Sequence, residues 1–171
     1  AEQYVRQAGE GGPLQTVVAR LSNGFGAPVS PTIAHWGLVF NDLSLQAVRD
    51  GKLVLETSGL QQRDFVPMND VVRGIQLLLR SELEHDIYHV GSGRPQTILQ
   101  AARLVQDVYR ELYGANLSIE APDAGDDERH IPVRFDISRL RDLGFEPSRD
   151  WRGEIARTLK LCQAHLADIG V

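Results

Sequence analysis

Apolar positions recur along the chain in two rhythms. "LQTVVARL" (residues 14–21) is short and β-branched, and it runs into the turn-rich "SNGFGAPVSP" (22–31), which predicts a strand feeding a loop. Phe40, Leu43, Ala47 and Val48 then recur at helical spacing as far as Gly51, and "KLVLETS" (52–58) alternates as an edge strand does. Val71, Ile75, Leu78 and Leu79 are expected on one helix face, with Asn69 or Asp70 as the N-cap. "IYHVGSG" (87–93) reads as a strand closing on a glycine turn. It is followed by a long helix striped with Ile98, Ala101, Ala102, Val105, Val108, Tyr109 and Leu112. "LSIEAP" (117–122) predicts a strand and "DISRLRDLG" (136–144) a short helix. The last helix runs from Trp151 to Ile169, with Ile155, Leu159, Cys162 and Leu166 inward. Strands separated by helices argue for an α/β fold containing part of a parallel sheet.

Composition narrows the class. The 171 residues, 42% of them hydrophobic, are enough for one unit with its own core. A net charge of −5, with both signs interspersed, lacks the basic footprint of a nucleic-acid binder. No apolar run is long enough for a membrane span, and the first residues lack the order of a secretory signal, so a cytoplasmic protein is expected. The single cysteine, Cys162, excludes an intrachain disulfide and reads as part of a core face. "AEQYVRQAGEGG" is helical in composition from Ala1 with no capping residue ahead of it. It reads as a cut end, a processed terminus being the other account.

Local motifs for chemistry are sparse. "GSG" (91–93) lies between strand and helix, but it lacks the third glycine and the later acidic residue of a dinucleotide loop, so it reads as a tight turn. His85 and His89 are four apart on a strand entry, where that spacing does not converge on a metal. "DAGDDERH" (123–130) reads as a solvated loop, and no local motif assembles a serine elbow or a cysteine-histidine dyad. Arg63, in "SGLQQRDFVPMND", carries a planar fork of donors that suits a diphosphate. An ion pair with Asp64 explains it equally well. Asn23 either donates to a bound phosphate or stabilises its turn.

Four stretches in order resemble the C-terminal half of the extended short-chain dehydrogenase/reductases, the NAD-dependent nucleotide-sugar epimerases and dehydratases. "VVARLSNGFGAP" (17–28) is similar to the family's Arg-x-x-Asn-x-Tyr-Gly-Pro loop, and "QRDFVPMNDVVRGI" (62–75) to its Arg-Asp-Phe-x-x-Val-x-Asp stretch. "YHVGSGRPQTIL" (88–99) resembles its Tyr-Asn-Val-Gly-Ser-Gly turn, and "FDISRLRDLGFEP" (135–147) its closing segment. The resemblance implies the C-terminal part of a Rossmann-type NAD(P)-binding fold with a small mixed α/β substrate-binding domain. Asn23 and Arg63 become ligands of a nucleotide-sugar diphosphate, Leu21 and Ser22 line the nicotinamide side, and Lys52 and Val54 lie near the base. Asp64 orients Arg63 or satisfies backbone donors. The full-length relative is expected to use NAD or NADP and to form a homodimer, with no nucleic-acid or membrane partner.

The departures matter as much. Phe25 stands where the family has tyrosine, Ala27 is inserted before Pro28, and Pro67 and Met68 replace the usual residues ahead of the Asn-Asp pair. The family's second phosphate arginine falls on Asp123, with Arg129 as a substitute ligand. Tyr4 is followed at the fourth position by Ala8, so the catalytic Tyr-x-x-x-Lys pair cannot be placed here. No catalytic or metal-ligating residue is assigned. The chain alone is expected to be inactive, to bind no cofactor by itself, and to expose apolar surface on residues 16–21 and 88–90, with association or local disorder as the consequence. A non-catalytic nucleotide-sugar-binding or interaction module derived from the family is the alternative.

Overall fold

The computed structural model describes residues 1–10, 13–32, 36–125 and 132–169. In chain order the elements are α1 (Glu2–Gly9), β1 (Val18–Leu21), β2 (Asn23–Phe25), α2 (Val39–Arg49), β3 (Lys52–Val54), β4 (Gln62–Arg63) and β5 (Phe65–Pro67). There follow α3 (Met68–Leu78), β6 (Ile87–Val90), β7 (Gln96–Thr97), α4 (Ile98–Tyr113), β8 (Ser118–Glu120), α5 (Ser138–Asp142) and α6 (Arg152–His165). Among the described residues the strands form two-stranded ladders. β1–β6, β2–β5 and β3–β8 are parallel and β4–β7 is antiparallel. Each parallel pair needs a crossover, and helices supply it.

The helical stripe on α4 forms as its sequence dictates. Thr97 Oγ1 accepts from Gln100 N at 3.1 Å and Gln100 Oε1 from Thr97 N at 2.8 Å, a reciprocal cap that satisfies two of the helix's free donors. Ala101, Ala102, Val105 and Val108 are buried against α2 and α6, together with Leu43, Ala47, Ile155 and Leu159. At one end of this core Phe25, Phe40, Phe65 and Trp151 pack as an aromatic cluster, with ring centroids 4.4 to 6.4 Å apart. Phe25 is dry there, and a tyrosine hydroxyl in its place would need a partner. A second core joins Tyr88 and Val90 of β6 to Leu78 of α3 and to Leu140 and Phe145 around α5.

Several expectations give way. Residues 23–25 form a strand inside the predicted loop, because β5 supplies ladder partners from far along the chain. Neither Asn69 nor Asp70 caps α3: Pro67 holds that position, and Asp70 is buried inside the first turn. Its carboxylate accepts from Ser148 N at 2.6 Å and Arg73 Nη1 at 2.8 Å, tying α3 to the segment before α6. The buried face of α3 runs through Val71, Gly74 and Leu78, which leaves Ile75 and Leu79 to solvent. Leu166 is also exposed, because α6 ends at His165. Tyr88 and Val90 are buried rather than exposed, since α3 and α5 cover β6. Leu21 at the end of β1 is exposed as expected.

Candidate functional site

Asp64 is the junction of the site. Its backbone oxygen accepts from Asn23 N at 3.1 Å and from Asn23 Nδ2 at 2.9 Å, locking the start of β2 to the start of β5. Its buried carboxylate faces the other way, into the 91–94 turn, where it accepts from Ser92 N (2.9 Å), Ser92 Oγ (2.8 Å) and Arg94 N (3.0 Å). Three donors compensate the buried charge. Gly91 makes this approach possible: a Cβ there would lie 2.5 Å from Asp64 Oδ1 and 2.6 Å from the Phe135 ring. The glycine turn is therefore a carboxylate cradle.

This arrangement removes one account of Arg63. With its carboxylate engaged by the turn, Asp64 makes no ion pair with Arg63. The guanidinium of Arg63 is exposed and spends one donor on Gln62 O at 2.8 Å. Its other four donors have no protein acceptor among the described residues. Asn23 is half spent, since its Nδ2 keeps a second hydrogen and Oδ1 is open. Arg63 pairs with Gln96 in the β4–β7 ladder. Two residues beyond Gln96, Ile98 N donates to Gln61 O at 3.1 Å, and Leu99 N donates to Gly59 O at 2.9 Å. The backbone of Arg63 is thereby held on the strand that follows residues 54–57, which bound a cleft beside α2.

That cleft, about 670 Å³, lies between α2 and residues 54–57, with Ile98 at its edge. Val54 lines it, and Val54 N donates to Gln46 Oε1 at 2.7 Å. Lys52 does not line it: its ammonium pairs with Glu120 at 3.1 Å across the β3–β8 ladder. Asp42, which sequence reasoning missed, faces the cleft. Partial burial raises its carboxyl above the usual range, against a hydrogen bond from Gln46 that lowers it. Its signal was present but weak, an acidic residue in the first turn of an amphipathic helix.

Elsewhere, Ser22 N donates to Val90 O at 3.0 Å, and Ser22 Oγ is the one buried side-chain polar atom that finds no partner among the described residues. Leu21 is exposed beside it. Arg129 lies outside the described residues, and Asp123 is exposed. His89 Nδ1 is spent on Asp136 O at 3.0 Å.

The geometry has the order of elements seen in the resemblance, and comparison with known proteins decides the family. Residues 1–91 match the family model described as "NAD dependent epimerase/dehydratase family". The chain belongs to this family. Over 145 residues it is 29% identical to UDP-glucuronic acid decarboxylase 1 of Xenopus tropicalis, covering 84% of this chain and 31% of that protein. It shares its fold with the UDP-glucose 4-epimerase of Thermotoga maritima, solved with UDP-glucose (TM-score 0.72, 22% identity, 96% of this chain and 51% of that one). WbmF of Bordetella bronchiseptica, solved with NADH, superposes with a TM-score of 0.78 at 22% identity, over 98% of this chain and 51% of that one. The α/β class and the Rossmann-type family fold are thus as expected. The chain spans less than half the length of the curated relatives it matches.

Proposed function

We propose that these residues form the nucleotide-sugar-binding portion of an NAD-dependent epimerase/dehydratase. Arg63 is the observation that carries the reading: an exposed guanidinium with unspent donors, freed from its neighbouring carboxylate by the Ser92–Arg94 turn, on the strand that follows the cleft's 54–57 wall. In this reading Arg63 grips the diphosphate and Asn23 adds its second amide hydrogen. Val54 contacts the base at the cleft wall, Lys52 serves the outer rim by releasing Glu120, and Arg129 supplies the second phosphate cation. Leu21 and Ser22 border the nicotinamide, and the orphan Ser22 hydroxyl fits a partner that these residues do not supply. NAD, when bound, supplies the hydride acceptor.

Titration calorimetry of the intact protein with GDP, UDP and dTDP tests the clamp. At least one of them is expected to bind, and Arg63→Ala to weaken it by about 10- to 100-fold with unchanged thermal stability. Binding indifferent to Arg63→Ala sinks the proposal.

A second reading, a binding module without chemistry, has one observation in its favour. Asp123, an exposed carboxylate, stands where the resemblance calls for the second phosphate arginine. The two readings separate on turnover. A change in nicotinamide absorbance or in the sugar product on mixing the intact protein with NAD and a bound nucleotide sugar favours the enzyme, and binding with neither favours the module.

A further inference from the structure

The cleft beside α2 has walls of one kind and polar groups of another. Val39, Leu43, Val54, Leu55 and Ile98 are aliphatic and suit a flat heterocycle. Its polar groups present acceptors. Val54 N–H can only donate, so its bond to Gln46 fixes which end of that amide is oxygen and turns the amide nitrogen onto Asp42 Oδ2 at 2.7 Å. Gln46 is thus held at both ends and holds Asp42 in turn. Asp42 Oδ1 takes no protein donor among the described residues. Arg49, the one cation among the described lining residues, is forked onto Asp50, with Nε to Oδ1 and Nη2 to Oδ2 both 2.9 Å. Glu56 adds a further carboxylate.

We propose that Asp42, oriented by Gln46, makes this cleft select a guanine base. Guanine presents two adjacent donors, N1–H and the exocyclic N2–H, and a carboxylate accepts both side by side. Uracil and thymine present one N–H between two carbonyl oxygens, so approach to Asp42 sets a carbonyl against the carboxylate. Adenine places an unprotonated ring nitrogen beside its amino group and meets the same conflict. Buried or half-buried groups left facing the wrong partner are what discriminate between ligands of equal size. The inference rests on the reading of the cleft as the base end of a nucleotide site.

The test is calorimetry of the intact protein, saturated with NAD, against GDP, UDP, dTDP and ADP. The expected result is GDP tighter than the other three by at least about tenfold. Asp42→Ala is expected to bring GDP down to the level of UDP. Asp42→Asn, which keeps a partner for Gln46, guards against a variant that fails to fold and is expected to lose the preference as well. UDP, dTDP or ADP binding as tightly as GDP, or a guanine preference that survives either substitution, overturns the inference and leaves the Arg63 clamp standing. Failure of all four to bind overturns both, whereas equal weakening of all four by Arg63→Ala supports the clamp alone.

Discussion

Arg63 and Asp64 are adjacent, oppositely charged and differently used. The sequence left their mutual ion pair open because local spacing allows it. What closes it lies beyond any local window: Gly91, Ser92 and Arg94 come from the far side of α3, the glycine leaving room and the donors of Ser92 and Arg94 claiming the carboxylate first. Asp64→Asn leaves the same shape with an amide whose N–H group faces N–H donors. We expect a loss of about 3 kcal/mol in urea unfolding, and a loss under about 1 would contradict the cradle. Gly91→Ala is expected to destabilise comparably, since the added methyl meets both the carboxylate and Phe135. Cys162 gives a pH signature of its own. Burial pushes its thiol from an ordinary value near 9.0 up to about 12. Unfolding then releases a proton that the folded chain retains. Stability should therefore fall as pH rises through the interval from about 9 to about 12, and Cys162→Ala should remove that part of the slope in denaturation curves.

At the scale of elements, legibility follows how local the determinants are. α4 was readable because its cap, its stripe and its closing Gly114 all lie within one stretch. β2 was not, because three residues around a glycine become a strand only when β5 supplies the ladder. α3 was placed correctly but rotated wrongly. Val71 and Leu78 announced an apolar face, but Gly74, which packs against Val90, carries no hydrophobic signal and let Ile75 stand in for it. α1 represents the opposite case, a helix obvious in composition that buries none of its residues and is held through the exposed Glu2–Arg20 pair. Exposed pairs of this kind contribute little, so α1 amides should exchange with deuterium far faster than those of α4. Equal protection in the two helices would contradict this.

The molecule as a whole confirms the α/β alternation read from the chain, and the family comparison supplies the Rossmann-type assignment that alternation alone could not. Of the candidate site, Arg63, Asn23 and Val54 lie on linked elements. Lys52 is diverted to Glu120 because β8, its partner strand, carries the matching charge. Asp42 was missed because one carboxylate on a helix is ordinary until a cleft gives it a direction. The parallel ladders have a further effect, on timing. Among the described residues β1 pairs with β6, and β3 pairs with β8 across β4, α3 and α4. During synthesis these two ladders thus close only after their late strands have left the ribosome. Refolding watched by stopped-flow fluorescence of Trp36 and Trp151 should take milliseconds to seconds, not microseconds, and a nascent chain stalled before β8 should be sensitive to proteases that spare the finished one.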